Sequence, residues 1–355
     1  MKTNYRNIRV TLLAITVAVS QVWGVNYTAI DLTPGGYYGS LAYGISGTQQ
    51  VGYGPSLNAL LWNGSADSFI DLTPSGFTYS IAYGICGTQQ VGAGKDWGIG
   101  KTWHALLWAG SAASCVDLHP DGLFDESFAY RTNGTQQVGY GGVEPSSYAN
   151  LKHALLWSGT AASCVDLHPS GFNSSVARDI SGTQQVGYGD DHALLWNGSA
   201  ESVVDLNPSG FNSSQAYGIS GTQQVGSGDG HALLWNGSAE SFIDLNPSSF
   251  YGSVAYGTNG IQQVGSGGDD DTFFSSNANG RALLWNGSAE DYVDLSEFLP
   301  TGFTNSVAYA IDSSGNIIGN ALDDGGNYHA ILWVVPEPAT LLLLGLGGLV
   351  FRKSR

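Results

Sequence analysis

One segment, Gly-Thr-Gln-Gln-Val-Gly, returns along this chain, followed by Ala-Leu-Leu-Trp and, in all copies but the last, by Asp-Leu. It begins at Gly47, Gly87, Gly134, Gly182 and Gly221, at Gly260 as GIQQVG, and at Gly315 as the degraded GNIIG. The Ala-Leu-Leu-Trp run starts at Ala59, Ala105, Ala154, Ala193, Ala232 and Ala282, with Ala-Ile-Leu-Trp at Ala330. A fixed period of this kind means an array of one supersecondary unit, so function has to be sought where the copies differ.

The shortest copy, from about Ser213 to Asn246, shows what the unit builds. Residues 214–220 alternate small or polar with apolar side chains and end at Gly221. Thr222 to Gly226 reads as a second short strand, and the apolar run from His231 to Trp235 as a strand covered on both faces. Asn236-Gly237 signals a turn, then Phe242 to Leu245 reads as a fourth strand before Asn246-Pro247-Ser248. Four strands in about 39 residues, with no helical periodicity, describe the blade of a β-propeller.

The ends of the array predict that the ring closes. The last unit stops before any Asp-Leu strand, while Tyr27-Thr-Ala-Ile-Asp31-Leu32 supplies one at the other end. Counting it, Asp-Leu also occurs seven times, at Asp31, Asp71, Asp117, Asp166, Asp205, Asp244 and Asp294. An N-terminal strand paired into the last blade abolishes the exposed edge. The fold expected is all-β: a seven-bladed β-propeller of four-stranded blades over residues 25–334. Which strand lies innermost stays open. The repeat resembles the HAF family of bacterial extracellular repeats, in Ala42-Tyr-Gly-Ile-Ser46, Val51-Gly52 and His192-Ala-Leu-Leu-Trp196, with Leu in place of Phe. That resemblance implies an exported repeat protein and brings no chemistry with it.

Both termini read as addresses. Lys2, Arg6 and Arg9 precede an apolar core from Val10 to Val19, so residues 1–24 read as a secretory signal peptide. At the other end, residues 335–355 hold Pro336-Glu337-Pro338, an apolar run from Leu341 to Phe351, and a basic end with Arg352, Lys353 and Arg355. The prolines forbid helix and the run favours a short membrane-seeking one. At roughly 1.5 Å per residue, its eleven residues cover about half of the hydrocarbon thickness. This order closely resembles the PEP-CTERM sorting signal of Gram-negative bacteria. The resemblance implies export, transient membrane insertion as a transmembrane sorting helix, and cleavage near Pro336-Glu337-Pro338 by an exosortase-type enzyme.

Between residues 25 and 335 there are six basic residues, Lys95, Lys101, Arg131, Lys152, Arg178 and Arg281, against 28 acidic ones. Such a balance excludes nucleic acid as a main partner, since phosphate-backbone binding needs the opposite sign. Cys86, Cys115 and Cys164 replace Ser or apolar residues of other copies and read as free thiols acting as small hydrophobes.

Repeated residues read as scaffold. Trp62, Trp108, Trp157, Trp196, Trp235, Trp285 and Trp333 share one position, where blade-to-blade core explains them better than a sugar-stacking ring. His104, His153, His192, His231 and His329 precede the Trp strand, with Asn58 and Arg281 in their place elsewhere. That exchange favours an intrablade hydrogen bond, to the Asp of Asp-Leu, over a metal ligand. His119 and His168 stand in turns. The sequence holds no G-x-S-x-G, H-E-x-x-H, paired-Cys or phosphate-loop motif. Asp269, Asp270 and Asp271 lack the alternating spacing of a calcium loop, leaving at most weak Ca2+ binding. Asn63, Asn197, Asn236 and Asn286, each before Gly-Ser, match glycosylation acceptors, but hairpin turns explain them better in a chain with this tail.

The copies differ most between the Gln-Gln-Val-Gly and Trp strands. The loop there expands to Lys95–Trp103 in blade two, Val143–Lys152 in blade three and Asp269–Gly280 in blade six. Loops on a rigid scaffold are where recognition concentrates. The expected binding residues are Trp97, Lys101, Trp103, Tyr148, Lys152, Phe273 and Phe274. The expected function is a non-enzymatic, exosortase-sorted surface or matrix protein presenting this loop-rich face to an extracellular polysaccharide or another surface protein. The alternative, a propeller-fold polysaccharide lyase or hydrolase, requires carboxylates, or a carboxylate and a histidine, to converge near the axis or rim.

Overall fold

The computed structural model of the chain describes residues 26–97, 102–142, 151–270 and 280–335. The expected signal segment, the sorting residues Pro336, Glu337, Pro338, Arg352, Lys353 and Arg355 with the apolar run expected to be helical, and Lys101, Tyr148, Asp271, Phe273 and Phe274 lie outside the described residues. Among the described residues, no helix is long and apolar enough to cross a membrane.

Seven four-stranded antiparallel sheets make up the molecule, each paired in simple chain order except the last. Blade one is β2 (Leu41–Ser46), β3 (Gln49–Tyr53), β4 (Ala59–Trp62) and β5 (Ile70–Asp71). A two-residue loop, Gly47-Thr48, joins β2 to β3. Gly47 sits at φ +56°, a left-handed conformation that suits the glycine-first pattern of a II′ hairpin. In the seventh sheet, β1 (Thr28–Asp31) pairs antiparallel with the chain's last strand, Tyr328–Val334. Ile30 stands opposite Leu332 there, and Asp31 opposite Ile331.

The first strand of each blade lies innermost. These strands touch their neighbours all around the ring, and β2 touches the first strand of the seventh blade, Phe303–Ile311. The seven-bladed closed ring expected from the displaced Asp-Leu strand is therefore the fold observed.

No blade has a core of its own. Val51, Leu61 and Leu72 of blade one pack with Ala82, Leu106 and Trp108 of blade two. Leu206 of blade four likewise packs with Trp235 of blade five, and Leu32 of the closing strand's blade with Trp62 of blade one. All seven repeat tryptophans are fully buried in these interfaces, where the sequence placed them.

Polar residues bolt the interfaces together. A serine on, or in blade one just before, each innermost strand accepts the amide N–H of the preceding blade's alanine at the start of its Trp strand: Ser80 from Ala59 at 2.9 Å and Ser214 from Ala193 at 3.0 Å. The second Gln of Gln-Gln-Val-Gly is buried and accepts from a turn glycine, as Gln50 does from Gly64 at 2.9 Å. The histidines bond the Asp-Leu aspartates as expected, His192 to Asp205 at 2.6 Å and His329 to Asp31 at 2.7 Å. Where the histidine is replaced, Asn58 and Arg281 bond Asp71 and Asp294 instead.

Candidate functional site

The axis of the ring is walled by one residue from each innermost strand. Tyr43, Tyr83, Tyr130, Arg178, Tyr217, Tyr256 and Tyr309 surround a cavity of about 370 Å3, with Arg131 beside them. Each of the seven stands where the register slips between its strand and the next, as between Ala42 and Gly44 or Ala177 and Asp179. An extra residue at such a bulge bends the strand and re-aims a side chain. In this fold it aims tyrosine at the axis.

The belt is continuous. Adjacent rings meet at centroid separations of 5.1 Å for Tyr43 and Tyr309, 5.3 Å for Tyr83 and Tyr130, and 5.4 Å for Tyr217 and Tyr256. Arg178 stands where the fourth tyrosine would be, and its guanidinium carbon lies 4.5 Å from the Tyr130 centroid and 5.6 Å from that of Tyr217. Cation–π attraction thus completes the belt in the one blade without a tyrosine. Burial raises the pKa of every belt tyrosine, to about 12 for Tyr309, so the phenols are neutral hydrogen-bond donors at ordinary pH.

The next position along each strand is normally glycine because neighbouring inner strands approach closely. A Cβ on Gly84 would come 2.5 Å from the Tyr130 carbonyl oxygen. Two blades break this rule with charge. Arg131 Nη1 donates to the carbonyl oxygens of Tyr130, at 3.1 Å, and Tyr83, while Nη2 donates to that of Tyr43 at 3.1 Å. One side chain so ties the inner strands of blades one, two and three. Asp179 accepts from Ile180 N at 2.8 Å and from Ile219 N at 2.9 Å, tying blade four to blade five.

Burial depresses the Arg131 pKa, opposed by the charge of Asp179. Burial raises that of Asp179, opposed by Arg131 and by its two amide donors. These two charges offset each other. Burial also works against the Arg178 charge, but the surrounding tyrosines outweigh it and hold its pKa up. No carboxylate of the described residues lies within 4 Å of Arg178. Two of the six basic residues between 25 and 335 therefore sit at the axis of an acidic protein.

Among the residues expected to bind, Trp103 and Lys152 are joined through a pair of stacked rings although they arise from different insertions. Trp103 packs on Phe128 at 5.6 Å, Phe128 stacks on Tyr140 at 5.0 Å, and Lys152 Nζ lies 4.6 Å over the Tyr140 ring. Tyr140 in turn lies 5.8 Å from Tyr130 of the belt, so these aromatic rings lead from the loop face to the axis. Trp97 stands apart, 73% exposed, with Tyr79 at 6.0 Å. Asp269, of the acidic trio considered for calcium, is bound by Arg281 Nη2. Among the described residues, no group of three or more His, Cys, Asp or Glu side chains is arranged to hold a metal ion.

Sequence reading did not single out the tyrosine belt or its charges. A signal existed: Ala-Tyr-Gly is interrupted as Ala129-Tyr130-Arg131 and as Ala177-Arg178-Asp179. The turn histidines are also more than turn residues. His119 bonds Ser127 at 2.9 Å and His168 bonds Ser175 at 2.8 Å, and each stacks on its blade's other histidine at 4.1 Å.

Residues 334–355 match the PEP-CTERM protein-sorting motif. No curated protein matches the chain. Among solved structures, a chain from the crystal structure of the mitotic checkpoint complex is 12% identical, covers 95% of this chain and 100% of itself, and has a TM-score of 0.48. The computationally designed Ika8 protein is 13% identical, with 85% and 99% covered and a TM-score of 0.46. BamB from Moraxella catarrhalis is 11% identical, with 87% and 97% covered and a TM-score of 0.37.

Proposed function

We propose that this exported, exosortase-sorted chain is a surface or matrix protein whose propeller is a non-catalytic scaffold holding an extracellular polysaccharide at its loop-bearing face. The sorting motif at residues 334–355 indicates export and recognition by an exosortase-type enzyme. The observation that carries the binding reading is the chain of contacts from Trp103 through Phe128 to Tyr140, where Lys152 lies over the ring, leading on to the axial belt. Flat aromatic faces with a few polar tips beside them suit a sugar ring, which offers both apolar faces and hydroxyls.

Two carboxylates at the axis support the non-catalytic side of the reading. The axial carboxylate Asp179 spends both oxygens on backbone amides, and Asp312, at the same mouth, accepts from Ser314 and Asn316. A general acid or base needs a free edge toward substrate. The reading invokes no metal or cofactor. Processing near Pro336 would release the propeller from the membrane to the surface.

Two measurements test it. Secreted material analysed by mass spectrometry is expected to end near Pro336; recovery of only the full-length chain in the inner membrane would refute the sorting half. A glycan array is expected to show binding by the wild-type propeller, weakened by Trp103→Ala. Absence of binding to every glycan, or release of shortened products from any of them, overturns the binding half.

A further inference from the structure

The axial cavity holds a charge that the scaffold does not need. In six blades a tyrosine fills the belt position, and the ring would be complete with a seventh. Arg178 introduces a cation there, enclosed by aromatic rings and with no described carboxylate within 4 Å. Enclosing a charge without an opposite partner is unfavourable, and a guanidinium hydrogen-bonded to one phenol, that of Tyr130, keeps further N–H groups for another acceptor. Arg131 is different, since three backbone carbonyls take up its N–H groups.

A second cavity of about 200 Å3 shares Tyr256 and Tyr309 with the belt, and its walls include Asn305 and Asn320. Asn305 Oδ1 and Asn320 Nδ2 are buried with no hydrogen-bond partner. One is an acceptor and the other a donor, which is the pairing that sugar hydroxyls satisfy. Together the belt and this annex offer an anion-seeking guanidinium, neutral phenols, aromatic faces, and a free amide oxygen and nitrogen.

We propose that the axial cavity binds a saccharide residue carrying a single carboxylate, with Arg178 taking the carboxylate and the annex taking hydroxyls. The proposal rests on the polysaccharide reading above and names the chemistry of its ligand. The ligand is a largely neutral glycan with an isolated acidic residue. A dense polyanion is disfavoured, because the mature region carries 28 acidic residues against six basic ones and repels it at long range. A planar carboxylate fits the guanidinium fork, and the enclosed site strengthens the charge-assisted bonds.

The test compares methyl β-glucuronide with methyl β-glucoside, which differ only at C6, by calorimetry on the wild-type propeller and on Arg178→Tyr and Arg178→Lys. Arg178→Tyr installs the residue that six other blades already carry, so it is expected to fold, and its melting curve checks that. The wild type should prefer the glucuronide by roughly tenfold to hundredfold, the range of one charge-assisted hydrogen-bond set. Arg178→Tyr should abolish that preference and Arg178→Lys should retain part of it, while added salt weakens only the glucuronide. Equal affinity for both sugars, glucuronide binding unchanged in Arg178→Tyr, or no binding of either sugar overturns the proposal. Equal affinity that disappears with Trp103→Ala would leave the broader polysaccharide reading standing, so the two failures are distinguishable.

Discussion

The amide of Ala330 donates to Ser40 Oγ at 3.2 Å across 290 residues of chain, repeating at the closure the bond that Ala59 makes to Ser80 between adjacent blades. The seam where the chain's two ends meet is thus built like the other six interfaces. Its added devices are β1, which completes the seventh sheet, and Asn320, whose Oδ1 accepts from the Ala42 amide of blade one at 2.8 Å.

Equal construction implies equal cost. Ser40→Ala and Ser80→Ala each leave a buried amide without an acceptor, and each is expected to lower stability by about 1–3 kcal/mol. Urea unfolding of the two variants checks this. A seam that opens before the rest would make Ser40→Ala much the cheaper of the two.

The tryptophans separate scaffold from surface. Trp196→Ala, at a fully buried interface, should cost about 3–5 kcal/mol, whereas Trp97→Ala, 73% exposed, should stay within about 0.5 kcal/mol. Comparable denaturation midpoints for the two would contradict the interface assignment of the tryptophan ring.

Much of this was legible in the sequence for a physical reason. Core tryptophans, the His–Asp bonds and the closing strand each leave a mark seven times or at a fixed offset, and burial at a shared position is the plainest cause of such regularity. The identity of the innermost strand left no comparable mark. Tyr43 sits at a bulge, so Ala42, Tyr43 and Gly44 follow neither the alternation of an ordinary strand nor a continuous apolar run. Arg131, Arg178 and Asp179 are single departures inside the repeat, while the insertions are conspicuous by length. Trp103 and Lys152 were found through length, and the axis they lead to was not.

Arg131 and Asp179 should behave as a coupled pair. Each stands where most blades have glycine, and each offsets the other's enclosed charge. Arg131→Gly or Asp179→Gly alone is expected to destabilise by about 3–5 kcal/mol. In the double variant the total should fall short of the sum by about 0.5–3 kcal/mol, measured as a double-mutant cycle in urea. Strict additivity would show that the two charges do not sense each other.

Acid should weaken the protein in two stages. Burial lowers the pKa of His119 and of His168, so their contribution is complete above the ordinary histidine value of about 6.5 and is lost as pH falls through their folded values. Asp117 is also lowered: burial raises its pKa, but the bonds from His104 and from the His119 amide outweigh that. Its contribution persists above the ordinary aspartate value near 3.9 and is lost only at lower pH. His119→Thr with His168→Asn installs the residues of other blades at these turns. Thermal melts between pH 7 and 5 should then show a smaller loss than in wild type. An unchanged pH profile would place the first stage elsewhere.

Because every hydrophobic cluster straddles two blades and uses the same residue types, the interfaces are interchangeable. Nothing in Leu72 against Trp108 tells one blade which neighbour it has met; Leu206 would serve Trp108 as well. At the axis, rotational identity comes from side chains that occur once, Arg131, Arg178 and Asp179. They act as a compass bearing on an otherwise sevenfold dial, giving a near-symmetric axis one distinguishable direction.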